Sequence, residues 1–324
     1  MNKSNDVQVI NFYLCGGCGA NIGQQANLLE ISDFIGFGQP NIIIIDSSKS
    51  NISANSKYKL ELIPGLDGFG KDRAEAFRIV SNHIPDLVKR NMPAALNVVV
   101  FGASGGTGSV IGPLLIEALL QQDKAVAGIM IQASECKVTT RNTINTIKSL
   151  AAISRKVAKP IAISFHDNFA PESSYTLVDE YVLQELRAFA ILGSGQNMGL
   201  DSQDIKNLVN YNKICGIEPA LVDLLINFGS NPEVEMAIAT LSILSSTSAP
   251  PMDIPRFYSG IGYLPEAALR ATKDPIPETH FVITNELMGT RMENLNARFS
   301  KFDLVEKQIK DVTYTFSEDT DFVA

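Results

Sequence analysis

Gly102-Ala103-Ser104-Gly105-Gly106-Thr107-Gly108-Ser109 follows the apolar run Leu96 to Phe101 and leads into a helix-like stretch from Ser109 to Gln122. A second glycine-rich stretch, Gly16-Gly17-Cys18-Gly19-Ala20-Asn21-Ile22-Gly23, stands in the same place after the run Val7 to Cys15. Backbone N–H groups converge on an anion only where no Cβ blocks the approach, and glycine also permits the positive φ that such loops use. The helix beyond adds the positive end of its dipole. One loop of this kind is more often a tight strand-to-helix turn. Two of them after strand-like runs in one half of a chain imply a nucleotide.

Around the two loops, the runs 7–15 (VQVINFYLC), 41–46 (NIIIID), 96–101 (LNVVVF), 125–132 (AVAGIMIQ) and 160–165 (PIAISF) are short, apolar or β-branched, and bounded by turn residues. They read as buried parallel strands. Helix-like segments at 21–35, 71–90, 109–122 and 139–157 lie between them. The alternation predicts an α/β fold with a doubly wound parallel sheet in residues 1–173, with ligands at the carboxyl ends of the strands, where both glycine loops fall. From Tyr175 to Leu192 the chain is apolar on nearly every side, with Ser173 and Ser174 available as caps, so a long buried central helix is expected over 174–195. Residues 196–285 are richer in proline and mixed in period, with a strand at 279–284, and read as a smaller α+β domain. Over 286–324, Met288, Met292, Leu295, Phe299, Phe302 and Ile309 mark one helical face. An acidic tail follows, in which Asp311, Glu318, Asp319 and Asp321 are interleaved with Tyr314, Phe316 and Phe322.

Composition narrows the function. The 324 residues are 45% apolar and 19% charged, enough for a sizeable core and for two domains. Apolar stretches such as Val110 to Leu120 are broken by Pro113 and Glu117 and fall short of the ~20 residues of a membrane span. The polar start Asn2 to Asp6 lacks the layout of a signal peptide, so a cytoplasmic location is expected. A net charge of -8 argues against a nucleic-acid surface. Cys15 and Cys18 form a C-x-x-C pair, but a zinc site needs two further ligands at matching spacing, and Cys18 reads as a small residue in a crowded loop.

Gly17-x-Gly19-x-x-x-Gly23, with Asp46 closing a second strand, also fits a dinucleotide-binding enzyme, in which that aspartate would hold a ribose hydroxyl. The loop Gly105-Gly106-Thr107-Gly108-Ser109 weighs against it, because it supplies further N–H donors and two hydroxyls that a dinucleotide fold does not need. A triphosphate would use them. The pattern G-x-x-x-x-G-K-[ST] is absent, which disfavours a Walker-type NTPase and leaves phosphate charge to backbone dipoles and a metal rather than a lysine.

At these residues the chain resembles the tubulin/FtsZ superfamily of GTP-dependent filament proteins. Gly105 to Ser109 is similar to that family's G-G-T-G-[ST]-G signature, with Val110 in place of the last glycine. The first loop is similar to G-Q-C-G-N-Q-I-G, which puts Gly16, Gly17, Cys18, Gly19 and Asn21 at the nucleotide. Asp46 matches the acidic residue after the second strand, and Gly65 to Gly70 occupies the γ-phosphate loop. The resemblance implies that Glu135 binds ribose, with Arg141 near it, that Asn168 contacts guanine, and that Tyr175 and Asp179 stack on and bond the base. Gly199-Leu200-Asp201-Ser202-Gln203-Asp204 resembles the family loop N-x-D-x-x-D, in which the carboxylates of Asp201 and Asp204 act on the γ-phosphate held by the next subunit. Gly199 in place of asparagine implies a more mobile loop. The resemblance further implies GTP or GDP, Mg²⁺ held largely by phosphate oxygens and water, and head-to-tail self-association. The helix and tail look like those of phage-encoded tubulins of the PhuZ type, spindle builders that position phage DNA. TubZ-like plasmid segregation is the nearer alternative. In that type the tail docks on the neighbouring subunit, and Arg291, Arg298, Lys301, Lys307 and Lys310 offer it a basic surface.

Overall fold

The computed structural model describes residues 10–25, 40–52, 56–64, 67–170, 173–194, 197–229, 232–245, 252–264 and 278–317, with backbone alone beyond 309. Its strands are β1 (Ile10–Cys15), β2 (Asn41–Asp46), β3 (Lys59–Leu62), β4 (Leu96–Gly102), β5 (Ala125–Gln132), β6 (Ile161–Asp167), β7 (Leu221–Phe228), β8 (Ala237–Leu244), β9 (Arg256–Tyr263) and β10 (Thr279–Thr284). They form one sheet in the order β3-β2-β1-β4-β5-β6-β7-β10-β8-β9. Seven neighbours from β3 to β7 run parallel, and β10 alone pairs antiparallel with both β7 and β8. The junction between the two halves is narrow, since β6 and β7 share only the pairs from Ile161↔Leu221 to Ile163↔Asp223.

Alternation along the parallel strands divides the core between two faces. Ile10, Phe12 and Leu14 of β1 point to a cluster formed with α1 (Gly16–Gln25), α6 (Tyr175–Gly193) and α7 (Ser202–Val209). Tyr13 and Cys15 point to the other, with α2 (Arg73–Val80), α3 (Ile84–Arg90), α4 (Gly108–Gln121) and α5 (Lys137–Val157). Helices cover both faces, which is the doubly wound arrangement. The strands expected at 41–46, 96–101, 125–132, 160–165 and 279–284 are all present, and Ser174 caps α6 by accepting from Leu177 N at 3.2 Å.

Four departures have physical causes. The single helix expected over 71–90 is two, since Asp72 caps α2 and the turn after Val80 brings Pro85 into the first turn of α3, where proline is tolerated. The helix expected at 21–35 begins earlier, at Gly16, so the first glycine stretch forms the opening turns of α1; residues 26–35 lie outside the described set. The strands β3, β7, β8 and β9 were absent from the pattern reading. Finally, α8 (Asn212–Cys215) is followed by α9 (Met288–Ser317), which continues through Asp311, Tyr314 and Phe316, whereas 318–324 lie outside the described residues. Leu295 of α9 is buried, and Met288, Met292 and Phe299 pack against the core, but Leu304, Val305 and Ile309 are exposed.

Candidate functional site

Three loops fasten together at the carboxyl ends of β1, β3 and β4. Gly16 has φ +73°, and a Cβ there would stand 2.6 Å from Gly108 N. A Cβ on Gly108 would lie 2.8 Å from Cys15 O, and one on Gly106 would lie 2.7 Å from Phe69 Cβ in the third loop. Only glycine allows these approaches. Gly19 is equally constrained, with Leu14 C 2.5 Å from its would-be Cβ, and Gly17 faces the Asn51 side chain. Gly105 differs, because a Cβ there would meet no described atom within 4 Å. It borders open space ahead of the N-terminus of a 14-residue helix. That is the geometry of an anion cradle.

The two loop hydroxyls turn inward, contrary to the role as phosphate donors expected from sequence. Ser109 Oγ donates to Gly105 O at 2.6 Å, and Thr107 Oγ1 lies 2.7 Å from Ser47 Oγ. They brace the loop from within, Ser109 to Gly105 O and Gly106 O and Thr107 to Ser47. Val110 sits in the first turn of α4, buried in the core. Asp46 is 2% exposed, accepts from Ser47 N at 2.7 Å and leaves Oδ2 buried without a hydrogen bond. Burial raises its pKa. A carboxylate so enclosed is badly placed to reach a ribose from outside, which weakens the dinucleotide reading. Asn142 Nδ2 ties the loops together by donating to Lys71 O at 2.9 Å and Ser104 O at 3.1 Å.

Among the residues expected at the nucleoside, Glu135 pairs with Lys71, Nζ to Oε1 at 3.3 Å. Asn168 N donates to Gln132 O, and Asn168 Oδ1 is buried with no hydrogen bond, an acceptor suited to an amide or amine edge. Tyr175 is exposed and stands edge-on to Phe169 at 6.2 Å. Asp179 accepts from Gln25 Nε2 at 2.7 Å, and burial raises its pKa. Burial, then the charge of Asp179, pushes the Cys18 thiol up to about 12, which keeps it protonated at neutral pH. Cys18 packs beside Gly102 as a small residue. Asn21 and Arg141 are exposed on α1 and α5.

Asp201 and Asp204 form a capping box at the start of α7. Asp201 Oδ1 accepts from Gln203 N and Asp204 N, while Asp204 Oδ2 accepts from Asp201 N at 2.8 Å. Tyr258 Oη donates to Asp204 Oδ1 at 2.6 Å. Both oxygens of Asp204 are therefore engaged, whereas Asp201 leaves Oδ2 outside the box. The looseness expected from Gly199 is replaced by tight fixation. Gly199 has φ +98°, Ile261 O lies 2.8 Å from its would-be Cβ, and the neighbouring Met198 exchanges two backbone hydrogen bonds with Tyr263. Arg291, expected on a basic surface, is instead paired with buried Asp223 at 3.0 Å and lies 4.1 Å over the Phe165 ring. Lys71, Asn142 and Tyr258 were missed in the sequence, because their partners lie 38 to 71 residues away.

A glycine cradle at one edge of a doubly wound sheet, a long helix leading away from it and a mixed extension of the same sheet together define a tubulin-like protein. Solved structures agree on the fold. A protofilament of TubZ from bacteriophage PhiKZ matches with a TM-score of 0.81 at 24% identity over 92% of each chain. The GDP-bound phage tubulin PhuZ also matches at 0.81, with 22% identity over 92% of each chain. In sequence, the chain is 30% identical over 240 residues, 73% of each protein, to the phage tubulin-like protein of Pseudomonas phage PhiPA3. This chain belongs to the phage tubulin-like proteins. No family model matches it.

Proposed function

We propose that this chain binds GTP in the glycine cradle, assembles head to tail into filaments, and hydrolyses GTP where one subunit's Asp201 loop meets the next subunit's cradle. One observation carries the reading. The cradle lies at the carboxyl edge of the sheet, whereas Gly193, ending α6, packs on Ile10 and Leu96, the first residues of β1 and β4. Asn197 then caps α6 through Ile191 O and Leu192 O and leads into the Asp201 loop. The seven residues of β4 span roughly 23 Å at 3.3 Å each, so carboxylates and phosphates belong to opposite edges. A second copy stacked in the same orientation unites them. The protofilament and GDP-bound forms of its structural neighbours support this reading.

Asp201, with Oδ2 outside the capping box, orients and polarises the attacking water, and Asp204, held by Tyr258, fixes the loop. Backbone N–H groups around Gly105 and Gly106 carry the phosphate charge, so positioning and charge neutralisation do the catalytic work. The exposed carboxylate of Asp67 in the third loop, which accepts from Ser48 Oγ, suits Mg²⁺ held otherwise by phosphate oxygens and water, which would neutralise phosphate charge. Among the described residues no group of three or more His, Cys, Asp or Glu forms a separate metal cage, and no helix is long and apolar enough to cross a membrane. Asn168, Tyr175 and Asp179 receive the guanine and Glu135 the ribose. As its resemblance to phage-encoded tubulins implies, the filament would position phage DNA in the host cytoplasm. GTP turnover measured against protein concentration, with light scattering in the same samples, tests the assembly step. A shared threshold is expected; turnover strictly proportional to concentration, without scattering, would refute a site completed between subunits.

A further inference from the structure

Lys71 lies in the third loop with φ +70°, just after Gly70, and its carbonyl is clamped by Asn142. Its backbone N is 3.4 Å from the would-be Cβ of Gly106, so the residue borders the cradle. Its ammonium reaches Glu135 at 3.3 Å, with side-chain exposures of 49% and 33%. The pair thus bridges the phosphate side of the site to the ribose side. Exposed pairs of this kind contribute little to stability, and a lysine stem is flexible. The clamped backbone keeps the base of the side chain in place while its tip is free to exchange partners.

Resting on the guanine-nucleotide reading, we infer that Lys71 is the residue that distinguishes triphosphate from diphosphate, leaving Glu135 for the terminal phosphate when GTP enters. A terminal phosphate at Gly105 and Gly106 offers the ammonium more negative charge than one carboxylate, in a charge-assisted hydrogen bond. The released Glu135 then accepts from the ribose hydroxyls. With a diphosphate the glycine N–H groups meet the charge, and Lys71 stays on Glu135. The chain lacks a P-loop lysine, and the third loop supplies a substitute.

The test is isothermal titration of the full chain with GTPγS and with GDP, for wild type, Lys71→Met and Lys71→Arg. Lys71→Met is expected to weaken GTPγS binding by about 10- to 100-fold, the loss of one hydrogen bond to a charged group, with GDP binding within about 3-fold of wild type. Lys71→Arg should restore most of the preference, and nucleotide-free melting of all three should coincide. Equal losses for both nucleotides, or no loss, would overturn the inference while leaving the guanine-nucleotide reading intact. Wild-type protein that binds neither nucleotide would overturn both.

Discussion

At the scale of single residues, the site rests on positions where one atom more or less decides the outcome. Gly105 is the open member of the second loop, so Gly105→Val should fold and melt like wild type while its side chain fills the phosphate space. Guanine-nucleotide binding measured by titration should fall below detection, and unchanged binding would move the cradle elsewhere. Gly199 is the reverse case, closed by Ile261 O at 2.8 Å with φ +98°. Restoring the family's asparagine by Gly199→Asn should destabilise the fold by about 1–3 kcal/mol, read by chemical denaturation, because side chains rarely adopt that conformation and here a carbonyl blocks it as well. These positions were only half legible in the sequence. The glycines of both loops stand in plain motifs, whereas the left-handed backbone of Lys71 and the grip of Tyr258 on Asp204 depend on chain segments that meet only on folding. Burial, then the hydrogen bond to Asp204, holds the Tyr258 hydroxyl up at about 12, so it remains a donor throughout the physiological range.

At the scale of elements, β6 and its neighbours concentrate the buried charge. His166 Nε2 faces Glu185 of α6 at 3.1 Å, Ser164 Oγ donates to Glu185 Oε1 at 2.7 Å, and Arg291 of α9 faces Asp223 of β7. Burial lowers the His166 pKa, but the charge and hydrogen bond of Glu185 outweigh burial and the opposing charge of Arg291, so the folded pKa is raised. A raised histidine pKa contributes stability that is complete below the unfolded value of about 6.5 and is lost as pH rises through the folded value. His280, on β10, has a pKa lowered by burial and acts in the opposite sense, costing stability as pH falls from about 6.5 through the lowered folded value. Unfolding free energies of wild type and His166→Gln above pH 6.5 should therefore converge as pH rises; parallel curves would discard the His166–Glu185 coupling. Arg291→Met leaves the Asp223 carboxylate buried and unpaired, and should cost about 3 kcal/mol while raising hydrogen exchange in the first turns of α9. The glycine-flanked parallel strands were legible because short apolar runs between turn signals leave little choice. The strand β8 (AIATLSIL) is buried throughout, a run that periodicity alone cannot separate from a helix, and β3 is a four-residue edge.

At the scale of the whole molecule, the proposed placement of cradle and carboxylates at opposite edges of one continuous sheet yields a complementation test. Asp201→Ala should keep GTP binding and filament formation but lose about 10²- to 10⁴-fold in turnover, the size of a positioned acid–base effect. Gly105→Val should lose turnover by losing the nucleotide. Mixed together, the two inactive proteins should hydrolyse GTP, since an intact Asp201 of one meets an intact cradle of the other; a mixture as inactive as its parts would mean that both halves of the site serve the same copy. Contacts between unlike faces build open rows rather than closed rings unless a rotation closes them. Such a row has two chemically different tips. On the proposed reading, one tip leaves a cradle open to solvent with no carboxylate above it, so a nucleotide held there would be exchangeable and long-lived. At the other tip a carboxylate pair is bare, while every nucleotide behind it is enclosed. On the proposed reading, the opposed placement of Gly105 and Asp201 would therefore give the row an arrow, with one end open to nucleotide exchange and every nucleotide behind it enclosed.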